Sequence, residues 1–276
     1  MSLNRPIWKL RDWIDKDKLN YYCLSENEKA IDFLLENPEL IEWNLFSRNS
    51  NPIAVELLEK NKHKINWSLL SYNENAIELL KRNPDKIDWR NLSSNPNAIE
   101  LLEKNKNKIN WSYLSTNPNA IKLLEENPEN IRWFYLSSNK NALDILFKNK
   151  NSIVFHQFCL NTNPKAIEYL LKNPENIHWF NLSSNSKAID YIKENQDKIY
   201  WINFSFNKNS LEILKDNQDK INWYNLSLNP SIFELDYEAM KKNNQEMYEE
   251  LIKEVMKPSR VFKNPNYDYI EELFGD

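Results

Sequence analysis

The stretch "INWSYLSTNPNAIKLLEENPENIRW", residues 109–133, decides the fold. It carries a tryptophan near its start and another at its end, two Asn-Pro pairs, and no glycine. Asparagine ahead of proline is the pattern of a helix N-cap followed by the first helical position. Asn117-Pro118 opens "PNAIKLLEE", in which Ala120, Leu123 and Leu124 follow helical spacing. Asn127-Pro128 opens "PENIRWFYLS", in which Ile131, Trp133 and Leu136 share one side, so Asn127 is expected to end one helix and cap the next. The phrase predicts two short helices of about nine residues, each about 14 Å long, the second partly 3₁₀.

The phrase recurs along the chain. Its tryptophan slot holds Trp43, Trp67, Trp89, Trp111, Trp133, Phe155, Trp179, Trp201 and Trp223, and stepping back 22 residues from Trp43 reaches Tyr21 in "KLNYYCLS". Two steps are 24 residues long, and both extra pairs fall at one point, in "FSRNSNPIA" and "FCLNTNPKA". Insertions confined to one point of a unit mark a loop. Helices this short do not persist alone; stacked units bury one another's apolar faces. The sequence therefore predicts an all-α solenoid of short helix pairs, with about nine 22–24-residue repeats over residues 21–230. At 8–10 Å per layer this is a rod roughly 80–90 Å long.

Solenoids need caps on their exposed ends. Residues 1–20, with Trp8 and Trp13 on one side of an expected helix, read as the N-terminal cap. Residues 231–276 read as a C-terminal helical cap, with Tyr237, Met240, Met247, Leu251 and Val255 as its stripe and Pro258 as its stop. The recurring tryptophans read as core between units rather than as bases' stacking partners. The recurring asparagines, of which Asn117 and Asn127 represent two slots, read as caps or as hydrogen-bonded ladders. The only glycine is Gly275, so asparagine is expected to supply any left-handed turn.

The charge is −4 with Lys and Arg dispersed, which weighs against a nucleic-acid reader. No apolar run is long enough to span a membrane, and no secretory signal is legible at the N-terminus. Cys23 and Cys159 are too few for a disulfide framework; they read as small buried thiols in a reducing compartment. His63, His156 and His178 lie in different units without metal-ligand spacing, and no phosphate loop or nucleophile elbow occurs. Recurrent serines such as Ser115 and Ser137 mark a structural slot, since a nucleophile would occur once. No enzyme activity, metal or cofactor is expected.

The motif "LSxNPxAIxLLExNPxxIxW" over residues 21–230 resembles the tandem-repeat proteins that giant DNA viruses of the mimivirus group encode in many copies. The resemblance implies a viral protein acting in host cell cytoplasm or packaged in the virion, and implies no biochemical activity. A looser likeness is to the leucine-rich variant repeat, a solenoid of alternating α and 3₁₀ helices. That family can carry an N-terminal iron–sulfur cluster, but Cys23 stands alone here, so no cluster is implied.

What varies between units carries the functional information. The position after the tryptophan slot runs Asn44, Ser68, Arg90, Ser112, Phe134, His156, Phe180, Ile202, Tyr224. A second row runs Arg48, Tyr72, Ser94, Thr116, Ser138, Leu160, Ser184, Phe206, Leu228, and both rows become more apolar toward the C-terminus. Either these side chains fill the seams between units, or they form an apolar strip that anchors a partner. On the second reading Phe134, Phe180, Ile202, Phe206 and Tyr224 are the candidate partner-binding residues. The expected function is a monomeric, non-enzymatic scaffold or adaptor for a host or viral protein. A structural part of a virus particle and a nucleic-acid-binding solenoid are the rival readings.

Overall fold

The computed structural model describes residues 5–255. They fall into two compact units: Leu10–Glu234, which holds all the repeats, and a second comprising residues 5–9 and 235–255. The repeat body is all-α, built from short α-helices and 3₁₀ turns at the 22-residue period. We number its members by the residue in the tryptophan slot, from unit 1 at Tyr21 and unit 2 at Trp43 to unit 10 at Trp223.

Unit 4 shows the common anatomy: helix Trp89–Leu92, 3₁₀ turn Pro96–Ala98 running into helix Ile99–Glu103, then 3₁₀ turn Lys106–Lys108. The single helix expected from the second Asn-Pro pair does not form. After the 3₁₀ turn the chain is extended for two residues, Ile109 and Asn110. The Ser93 hydroxyl holds it there, accepting from the Asn110 backbone N–H at 2.9 Å. Nine-residue helices occur only where two residues are inserted, at Pro52–Lys60 and Pro164–Lys172. The insertion adds a second capping asparagine: Asn49 Oδ1 accepts from Asn51 N, and Asn51 Oδ1 from Ile53 N.

Asparagine makes the turns without the left-handed conformation, contrary to expectation: no described residue has positive φ. Asn83, Asn105, Asn127 and their equivalents sit near φ −130°, ψ 50–60°. Each donates its side-chain amide to the carbonyl four residues back, as Asn127 does to Leu123 at 2.8 Å. That bond satisfies one orphaned carbonyl at the end of the helix before it. The asparagine does not cap the 3₁₀ turn that follows.

The other asparagine slot forms a ladder. Asn117 Nδ2 donates to the carbonyls of Ser93 at 3.1 Å and Asn95 at 2.8 Å, and Asn139 repeats this on Ser115 and Asn117. A parallel ladder uses the serine slot, where each hydroxyl donates to the tryptophan-slot carbonyl of its own unit and accepts an N–H from the next. Cys159 takes that slot in unit 7, with His178 N 3.3 Å from its sulfur. Burial pushes the Cys159 thiol above its ordinary pKa.

Both ladders close on themselves. Asn27 of unit 1 donates to the carbonyls of Ser227 and Asn229 of unit 10, at 3.0 and 3.2 Å. Asn20 N donates to Ser227 Oγ at 2.9 Å. The repeats therefore form a ring of ten members, Asn27 through Asn229, in place of the expected rod of about nine. Unit 1 is sealed by unit 10, so residues 5–20 form no helical lid over it.

Unit 10 is instead assembled from two distant segments. Helix Trp223–Ser227 and 3₁₀ turn Pro230–Ile232 supply its first part, and 3₁₀ turn Lys16–Lys18 supplies the element that precedes every tryptophan slot. Lys18 Nζ lies 5.3 Å from the Trp223 ring centroid, as Lys64 lies over Trp43 and Lys108 over Trp89. Where other units have their second helix, strand β1 (Trp8–Leu10) pairs with strand β2 (Phe233–Leu235). Trp8 is thus in a strand, not on a helix. Arg11 fastens the junction, with Nε 2.9 Å from the Ser231 carbonyl and a guanidinium nitrogen 2.9 Å from Glu234 Oε2.

The core runs around the ring in the third position after the tryptophan slot, from Leu24 and Phe46 to Phe204 and Leu226, all fully buried. Alanine faces it from the residue just before the second helix, at Ala76, Ala98, Ala120 and their equivalents. The tryptophans are only half-buried, sealing the seams while lysines cover several of their rings. Cys23 and Cys159 are buried free thiols.

The two long units are 2 and 7, opposite each other in the ring, and the step pattern over units 1–5 repeats over units 6–10. The ring is two five-unit halves. In the second compact unit, Asp236 N donates to the Ile7 carbonyl at 2.9 Å, and its side chain caps helix Tyr237–Val255 at Ala239 N. Tyr237 of the expected stripe is exposed. The side chains of Met247, Leu251 and Val255, and the stop at Pro258, lie outside the described residues.

Candidate interaction surface on the inner wall

The two variable rows are the first and fifth positions after the tryptophan slot. They lie four residues apart, on a short helix and the turn that ends it, so they share a face. Two observations place that face on the inside of the ring. Tyr72 of unit 3 and Tyr113 of unit 5 bring their ring centroids to 6.2 Å across the intervening unit. Side chains two layers apart converge only on the concave side. One cavity of about 350 Å³ is bounded by Phe206, Leu228, Glu26, Arg48, Tyr72 and Pro96, which belong to units 9, 10, 1, 2, 3 and 4. Six successive members of a ring enclose a single space only with their inner faces. In the same six units the residue after the ladder asparagine, Glu28, Ser50, Glu74 and Lys208 among them, lines it too.

The wall differs between the two halves of the ring. In units 1–5 it is polar. Glu26 pairs with Arg48 at 3.1 Å, Arg48 lies over the Tyr72 ring at 4.8 Å, and Arg90 lies over Tyr113 at 4.9 Å. Burial, with the Tyr113 hydroxyl beside it, pushes the Tyr72 phenol up to about 12, and the two guanidiniums only partly offset this.

In units 6–10 the wall is apolar. Phe134, Phe180, Ile202, Phe206 and Tyr224 are all exposed, between 43% and 59%, so they do not fill the seams. Phe134 touches His156 edge-on at 5.4 Å, His156 lies 6.2 Å from His178, His178 meets Phe180 at 6.3 Å, and Phe180 meets Tyr200 at 5.7 Å. Phe134 and Phe180 are thus joined through the two histidines, Ile202 and Tyr224 continue their row in the next two units, and Phe206 lines the cavity.

This apolar arc contains residues that the sequence reading missed. Tyr200 and His178 sit one residue before the tryptophan slot and join because the extended entry to each helix presents them beside the neighbouring unit's row. Tyr22 is 48% exposed, and ring closure sets it beside Tyr224. The Cys23 thiol hydrogen-bonds Tyr224; this raises the tyrosine's pKa, while burial raises that of Cys23.

Among the described residues no group of three or more His, Cys, Asp or Glu could hold a metal ion. No helix among them is long and apolar enough to cross a membrane. No protein family, curated protein or solved structure matches this chain.

Proposed function

We propose that this ring is a non-enzymatic scaffold or adaptor that holds a protein partner against its inner wall. The observation that carries this is the exposed aromatic arc from Phe134 to Tyr22 on a concave, pre-formed surface. Contiguous exposed apolar surface of this kind marks interaction sites in soluble proteins, and repeat proteins bind through extended concave faces. The ladders fix the backbone behind the arc, so binding orders few groups and the entropic cost of association is low. The resemblance of the repeat motif to giant-virus tandem-repeat proteins supports a viral origin and a place in host cytoplasm or the virion.

The test is affinity capture from lysate of cells infected by such a virus, beside the triple variant Phe134→Ala, Phe180→Ala, Tyr224→Ala. These side chains are exposed, so the variant keeps its circular dichroism. A partner captured by the native ring and lost by the folded variant supports the proposal. Retention of every captured protein by the variant overturns it. Co-purification with virus particles, insensitive to the variant, favours a structural role instead.

A further inference from the structure

The inner wall is asymmetric in charge as well as in hydropathy. Five slots of each unit face inward: the residue before the tryptophan slot, the first, second and fifth after it, and the one following the ladder asparagine. In units 6–10 these slots hold Arg132, Lys140 and Lys208, and no carboxylate. In units 1–5 they hold Glu26, Glu28, Glu42, Glu74 and Asp88 against Arg48 and Arg90. All three cations of the aromatic half are exposed, in a chain whose overall charge is −4. The half of the wall that carries the anchors therefore carries cations without carboxylates of its own, and only Lys208, at its edge, shares a cavity with Glu26, Glu28 and Glu74.

We propose that units 6–10 take an acidic polypeptide segment with apolar side chains at intervals. Its carboxylates meet Arg132, Lys140 and Lys208, and its apolar groups meet the Phe180, Ile202 and Tyr224 row. The carboxylates of the opposite half repel the same segment, which fixes it to one side of the ring. Aliphatic members of the arc, Ile202, Leu160 and Leu228, offer no face for base stacking, which favours a polypeptide over single-stranded nucleic acid. Same-slot rings of adjacent units stand 5.4 Å apart on this wall at Phe134 and His156, so an extended chain at about 3.3 Å per residue passes two units in about three residues. This inference rests on the protein-binding reading and specifies its partner.

The probe is a fluorescein-labelled peptide with Leu or Tyr at every third position and Glu between, titrated with the full chain and followed by anisotropy. Its twin carries Lys for Glu, and a single-stranded oligothymidylate is run beside them. The acidic peptide is expected to bind at least about tenfold tighter than its twin. Arg132→Gln with Lys140→Gln, and separately Ile202→Asp, each weaken it by about tenfold, whereas Arg90→Gln leaves it unchanged. Equal binding of both peptides, binding of neither, or tighter binding of the oligonucleotide in competition overturns the inference. If neither peptide binds yet the captured partner still depends on Phe180, only the acidic assignment fails.

Discussion

The Asn27 side chain donates to the Asn229 carbonyl at 3.2 Å, the same bond that Asn49 makes to Asn27 at 3.0 Å. One bond joins neighbours in the chain, and the other joins its first and last repeats. The ring thus closes without covalent continuity, and at the closure a pair of strands stands where other units have their second helix.

Asn27→Ala removes the side-chain donor to two carbonyls, Ser227 and Asn229, of which Asn229 keeps the Ile232 N–H. We expect a loss of about 2–3 kcal/mol by urea denaturation. Hydrogen exchange should quicken in units 1 and 10 before unit 5. Uniform quickening around the ring would mean that the seam is no weaker than any other junction.

Arg11→Ala removes the part-exposed pair with Glu234 together with the bond to the Ser231 carbonyl. The ion pair alone is worth about 1 kcal/mol or less, so a larger loss assigns the difference to the backbone bond. Glu234→Gln separates the two, because it spares Ser231. Thermal melts of both variants make the comparison.

Cys159→Ser restores the hydroxyl found in the other nine members of the ring. The serine can donate to Phe155 O and accept from His178 N, as its counterparts do. A gain of about 0.5–1 kcal/mol is expected in chemical denaturation, along with loss of the slow thiol. Destabilisation would show that unit 7 is shaped around sulfur.

Tyr72 supplies a pH dependence. Its phenol is raised from 10.0 to about 12 in the fold, first by burial, so the fold favours the neutral form. Its contribution is complete below pH 10 and is lost as pH climbs from 10 toward 12. Tyr72→Phe should flatten stability over that window relative to the native chain, with phenolate absorbance reporting one fewer late-titrating tyrosine.

Much of this architecture was legible. The spacing of Trp43 to Trp223 gives the unit and its solenoid class, because a 22-residue period of caps and apolar positions admits little else. Closure was not legible, since curvature is set by small differences between the layers' inner and outer packing, and no single residue records them. One trace existed: "KDKLNYY" at residues 16–22 matches the run before every tryptophan slot, with no unit ahead of it to complete. The rows holding Phe180 and Ile202 were readable as variable positions, but their inward direction depended on the ring. Tyr200 escaped because the second Asn-Pro pair suggested a continuous helix, where the Ser183 hydroxyl in fact holds Tyr200 N in an extended link at 3.1 Å.

Closure also changes how such a gene can evolve. An open array lengthens or shortens by unequal recombination, and each product still stacks. Here every junction carries a tenth of a full turn, and an added or deleted copy pulls Asn27 out of register with Ser227 and Asn229. Copy number is frozen, and novelty has to come by substitution within fixed positions. The step pattern of units 1–5 recurs in units 6–10, yet one half has charges on its inner wall where the other has aromatic rings.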